Sequence, residues 1–229
     1  RQADPWREEA WDIMRRTPHL TYQVLTKRPG LAVAWYKNHG WLPNVWLGAS
    51  VENQKYAPRL DVLARVPAPV LFVSAEPLLG PLDLRPWLLC AQCAEGSHDG
   101  HQDYSYDGIV EWVICGGESG PGARPMHPDW ARGLRDQCQA AGVPFFFKQW
   151  GTWLPVHEVS FGDITSCVGY ERVGKKAAGA LLDGRGLCPT IRQNRPFIGQ
   201  LPLLPEYSRR PSHSHSARKS APDQAHRLS

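Results

Sequence analysis

The chain has no run of 18 consecutive apolar residues and no charged-then-apolar leader at Arg1-Gln-Ala-Asp-Pro-Trp, so neither a membrane-spanning helix nor secretion is supported by its sequence. Cysteine is sparse: of six in 229 residues, only Cys90 and Cys93 lie close together. That spacing excludes a disulfide framework for a chain of this size and points to a reducing cytoplasm. A Walker loop, a G-x-G-x-x-G fingerprint and a Ser-His-Asp order are all missing, which removes the commonest signatures of nucleotide and acyl-transfer chemistry. There is no initiator Met, and the first residues run straight into a helix-like stretch. This reads as a fragment or a processed chain.

An excess of basic charge is also missing from most of the sequence. Residues 186–229 hold seven Lys or Arg against two acidic residues, which leaves residues 1–185 with 19 basic and 20 acidic groups. The formal charge of +4 therefore belongs to the tail, and a nucleic-acid-binding body is only weakly supported.

What the chain does have is five short apolar runs, each ending in polar residues: 20–29, 45–53, 70–77, 112–120 and 143–151. Runs of β-branched and aromatic residues at this length predict strands buried on both faces of a parallel sheet. Thr26, Ser50 and Ser74 stand 24 residues apart in both steps, the length of one βα unit. The expected fold class is α/β: a parallel (β/α) partial barrel of the TIM type with at least five βα units. Helices are expected at residues 6–17, 30–39, 53–65, 128–141 and 173–185. The domain expected is 1–185 with a polar insertion at 88–108. Residues 186–229, with six Pro and no period, read as a disordered basic tail, not native to the fold and derived from a reading-frame shift.

In parallel barrels ligands bind at the carboxyl ends of the strands, which is where Lys27, Glu52, Glu76, Glu118 and Lys148 fall. Carboxylates there can act as acid, base or hydrogen-bond acceptor, with lysines as compensating charge; the alternative is a set of ion pairs between loops. Glu52, Glu76, Glu118 and Lys148 are the catalytic candidates. Lys27, Ser50, Asn53, Ser74, Gly116, Gly117, Ser119, Arg124, Gln149 and Trp150 are the binding candidates, Gly116-Gly117 because its backbone N–H groups could hold an anion and Arg124 as an anion clamp. Trp46 and Trp112 lie inside strand runs and read as core. Cys90, Cys93, His98 and His101 have zinc-donor chemistry, the alternative being an ordinary polar insertion. A small molecule in the barrel mouth is the expected partner, and a membrane is not.

The strings Leu25-Thr-Lys-Arg-Pro29, Trp46-Leu-Gly-Ala-Ser-Val-Glu-Asn-Gln54, Phe72-Val-Ser-Ala-Glu-Pro-Leu-Leu-Gly80, Trp112 to Met126, Phe145-Phe-Phe-Lys-Gln-Trp-Gly151 and Val173-Gly-Lys-Lys-Ala-Ala-Gly179 resemble a bacterial and phage family of unknown function, over residues 10–185. That family is similar to the radical S-adenosylmethionine partial barrels, whose complete members carry three cysteines for a 4Fe–4S cluster. The resemblance implies an enzyme with S-adenosylmethionine and that cluster as cofactors in a complete parent protein. This chain has no such three-cysteine segment, so no cofactor and no radical chemistry are expected of it alone. A phage-associated nucleic-acid-binding protein and a cluster-independent hydrolase or lyase using the Glu/Lys mouth are the other classes.

Overall fold

A computed structural model describes residues 4–88, 108–161 and 164–188. Helix α1 (Asp4–Arg16) is amphipathic and buries Trp11, whose ring meets Trp35 and Trp41 edge-on at centroid separations of 5.9 and 5.2 Å. Five strands follow: β1 (Tyr22–Thr26), β2 (Val45–Ser50), β3 (Leu71–Ala75), β4 (Trp112–Gly116) and β5 (Phe145–Gln149). They form one parallel sheet in sequential order, β1-β2-β3-β4-β5. Right-handed crossovers that always step in the same direction put every connecting helix on one face. The sheet is thus an arc of a (β/α) barrel and not a doubly wound sheet, which reverses direction.

The connecting helices are α2 (Pro29–His39), α3 (Arg59–Leu63) and α4 (Pro128–Ala140). Pro29 and Pro128 suit the first helical turn, where no backbone N–H is needed, and Gly40 and Gly142 turn the chain away with φ of 70° and 67°. The expected helix at 53–65 divides into a 3₁₀ turn (Gln54–Tyr56) and the short α3.

Strand alternation gives the sheet two faces. Leu47, Val73, Val113 and Phe147 pack with Leu60 and Leu134 in the large core beneath the helices. Trp46, Val70, Phe72 and Trp112 form a second cluster, with Ile114 and Phe146 packed against it, so both tryptophans are core as the sequence indicates. Gly48 is needed here, since the Phe72 ring occupies the position its Cβ would take.

The chain continues through an antiparallel hairpin, β6 (Trp153–Phe161) and β7 (Ile164–Arg172), then a single turn, α5 (Lys175–Ala178), and a small hairpin, β8 (Leu181–Leu182) and β9 (Arg185–Gly186). The helix expected at 173–185 is therefore confined to residues 175–178. Gly174, Gly179 and Gly184, with φ of 83°, 73° and 73°, interrupt it, and Leu181 and Leu182 alternate out and in, as strand residues do. Asp183 of this hairpin pairs with Arg132 and Arg135 of α4 at 2.9 and 2.5 Å. Order also extends beyond the expected boundary at 185, because the Phe147 amide donates to the Leu187 carbonyl at 3.0 Å. Most of the insertion, the zinc candidates Cys90, Cys93, His98 and His101, and the tail from 189 lie outside the described residues. Among the described residues no helix is long and apolar enough to cross a membrane.

Candidate functional site

Register decides which rim side chains share a face. Leu25 pairs with Gly48, Gly48 with Phe72, Phe72 with Trp112 and Ile114 with Phe146, all on the face away from the helices. Two residues further along, the same face carries Lys27, Ser50 and then Glu52, and Ser74 and then Glu76; Gly116 and Lys148, beyond a register shift after Cys115, are placed there by their contacts with Glu76. Four of the five charged candidates therefore converge at the carboxyl rim of one sheet face.

Glu52 is 5% exposed. One carboxylate oxygen lies 2.6 Å from Lys27 Nζ and the other 2.8 Å from Arg59 Nη1, and the same Arg59 nitrogen donates to the Ser50 carbonyl at 2.6 Å. Burial alone would raise the Glu52 carboxyl. The Lys27 hydrogen bond and the charges of Lys27 and Arg59 outweigh it and hold the group below the usual carboxylate range. Arg59 escapes a sequence reading because it follows Glu52 by seven residues across a 3₁₀ turn and a helix start, where no single period applies. The guanidinium also stacks on Tyr56, 4.2 Å from the ring centroid, which fixes its approach.

Glu76 and Lys148 belong to β3 and β5, with β4 between them. Adjacent strands are about 4.8 Å apart, so side chains two strands apart meet only if the middle strand leaves a gap. Gly116 leaves it: a Cβ there would lie 2.5 Å from Glu76 Oε1. Across this gap Lys148 Nζ donates to Glu76 Oε2 at 3.1 Å, with the Ser74 hydroxyl at a marginal 3.5 Å from the same oxygen.

Glu118 departs from the group. Arg124 grips it with Nε and Nη2 at 2.8 and 2.7 Å and with its backbone N–H at 2.9 Å, and these bonds lower the carboxyl to about 2. Neither residue is the free group expected: Glu118 is not an available acid or base, and Arg124 is not an open anion clamp. The pair closes the loop of residues 118–124. The Gly116-Gly117 cradle is also corrected, because the Gly117 N–H is used by the Gln149 carbonyl at 2.9 Å while Gln149 Nε2 returns a bond to the Gly117 carbonyl at 2.8 Å. Trp150 is core and not a stacking platform. It is buried, donates from Nε1 to the Leu181 carbonyl at 2.9 Å and packs on Phe147. Asn53 accepts the Lys55 N–H and caps the 3₁₀ turn; Ser50 is buried at the end of β2 and Ser119 is exposed. Thr152, unnoticed in the sequence, is buried and accepts the Gly120 N–H at 3.1 Å.

Of the free cysteines Cys115, Cys138 and Cys188, only Cys188 is exposed, so they do not offer the three thiolates that a 4Fe–4S cluster with one open iron needs. Cys115 and Cys138 are fully buried between β4 and α4, and burial pushes the Cys115 thiol far up and the Cys138 thiol to about 12, where neither supplies a thiolate. Among the described residues no group of three or more His, Cys, Asp or Glu side chains could hold a metal ion.

Residues 2–189 match the model of a family described as a protein of unknown function, DUF5131. The chain belongs to that family. No curated protein and no solved structure matches it.

Proposed function

We propose that this DUF5131 member binds a small charged molecule at the carboxyl rim of its barrel arc, through Lys27, Glu52, Glu76 and Lys148. The observation that carries the reading is the meeting of Glu76 and Lys148 across Gly116, on the sheet face that adjoins the Lys27–Glu52–Arg59 cluster. Ion pairs that only hold loops together need no glycine window on a buried strand, whereas strand-end charges in this class of fold usually face a ligand. S-adenosylmethionine, the cofactor implied by the sequence resemblance, is the candidate ligand. The rim residues offer it both signs of charge.

Calorimetric titration of the full chain with S-adenosylmethionine tests the reading. One site is expected, weakened tenfold or more by Glu76→Gln. Absence of binding at millimolar ligand would remove this cofactor. After anaerobic incubation with iron and sulfide, well under one cluster per chain is expected. Stoichiometric iron with release of 5′-deoxyadenosine would overturn the cluster-free assignment.

A further inference from the structure

Three carboxylates stand at the rim, and their partners divide them. Both oxygens of Glu52 are taken, one by Lys27 and one by Arg59. Both oxygens of Glu118 are taken by Arg124. Glu76 differs: Lys148 and Ser74 approach Oε2, while Oε1 has no hydrogen-bond partner among the described residues and lies over the Gly116 gap. Lys148 in turn spends one of the three N–H donors of its ammonium on Glu76 and is about half exposed.

The residues beneath this pair are apolar. Ile114 and Phe146, cross-strand neighbours in register, stand two positions before Gly116 and Lys148 on the same face and are only partly buried against the Trp46–Phe72–Trp112 cluster. One free carboxylate oxygen, one ammonium with donors to spare and an apolar floor with two incompletely covered side chains therefore lie side by side.

Resting on the rim reading above, we infer that the Glu76–Lys148 pair is the recognition element and that the ligand class is a small zwitterion with an apolar portion. Its cationic end takes Glu76 Oε1, its anionic end takes Lys148 Nζ, and its apolar part covers Ile114 and Phe146. An ion pair already formed in the protein favours this class. A ligand of one charge would leave Glu76 or Lys148 without its compensating charge, whereas a zwitterion brings a counter-charge for each and keeps the site neutral. Glu52, with each oxygen engaged by Lys27 or Arg59, lines the rim beside the pair, and Glu118, gripped by Arg124, holds the adjoining loop.

The probes are L-phenylalanine, 2-phenylethylamine, which has only the cationic end, and 3-phenylpropionate, which has only the anionic end. Saturation-transfer NMR titrations of the full chain compare them. L-Phenylalanine is expected to bind at least tenfold more tightly than either truncated probe. Glu76→Gln should lower affinity for L-phenylalanine and 2-phenylethylamine tenfold or more without weakening 3-phenylpropionate, and Lys148→Met should lower affinity for L-phenylalanine and 3-phenylpropionate tenfold or more without weakening 2-phenylethylamine. The comparison among probes on the unmodified protein needs no variant to fold. Equal binding of all three probes, or no binding of any, would overturn the zwitterion assignment, and the rim reading would then stand or fall on the S-adenosylmethionine titration alone. Loss of L-phenylalanine binding in Glu118→Gln with no change in Glu76→Gln would overturn this inference while keeping the ligand at the rim.

Discussion

Gly117→Ala is expected to destabilise the protein by about 3 kcal/mol or more, at the upper end of overpacking penalties. A Cβ at this position would overlap the Trp150 carbonyl oxygen and lie 2.6 Å from the carbonyl carbon. Both contacts are with backbone, and the backbone cannot swing aside. Moving it would break the Gly117–Gln149 exchange of hydrogen bonds and the Trp150 N–H bond to the Gly179 carbonyl at 3.1 Å. Gly133→Ala supplies the contrast. This glycine lies within α4, and apart from the helix's own backbone and the adjoining residues nothing stands within 4 Å of the place an alanine methyl would take, so Ala should stabilise by about 0.5–1 kcal/mol through helix propensity. Urea unfolding of both variants checks the pair. A Gly117→Ala protein as stable as the parent would mean that β4 and β5 do not approach as described.

Glu52→Gln is expected to cost about 2 kcal/mol at neutral pH, because it removes from a buried position the carboxylate that faces both Arg59 and Lys27. The dependence on pH has a definite sign. The folded-state carboxyl lies below its ordinary value of 4.5, so its stabilisation is complete above about that pH and is lost as the pH falls through the lower folded value. The difference between parent and variant should therefore be constant from neutral pH down to about 5 and shrink below it. Glu118, held at about 2 by Arg124, adds a second loss of the same sign that continues to lower pH and is common to both proteins. Urea midpoints measured stepwise down to about pH 2 check this. A gap that widens on acidification would show that Glu52 is not held ionised by its partners.

The five parallel strands were legible because strands buried on both faces need uninterrupted apolar runs, and helices α1, α2 and α4 because Pro and Gly mark their ends. The region after Trp153 was harder to read. Phe161-Gly162-Asp163-Ile164 carries a two-residue hairpin signal, but the flanking strands mix polar and apolar residues without clean alternation. Glycine at 174, 179 and 184 is compatible with either a capped helix or tight turns, and the antiparallel pairing of Leu181 with Gly186 and Leu182 with Arg185 decides for the hairpin. At the rim, strand ends were enough to nominate Lys27, Glu52, Glu76 and Lys148. Sequence position could not show that Glu118 is consumed by Arg124, a contact made by a loop of glycine and proline with no period. Nor could it place Trp150. A register shift between Cys115 and Gly116 means that counting alternate residues past β4 does not identify the face.

Mapping backbone amide shifts in ¹H–¹⁵N spectra on addition of L-phenylalanine is the most direct test of where this protein meets a ligand. A cavity of about 620 Å³ between α1, α2 and β1, lined by Trp11, Trp35 and Trp41, offers a competing location. Perturbations centred on residues 26–28, 50–53, 74–77, 114–117 and 146–149 are expected. Perturbations confined to residues 4–14 and 31–41 would contradict the carboxyl-rim account.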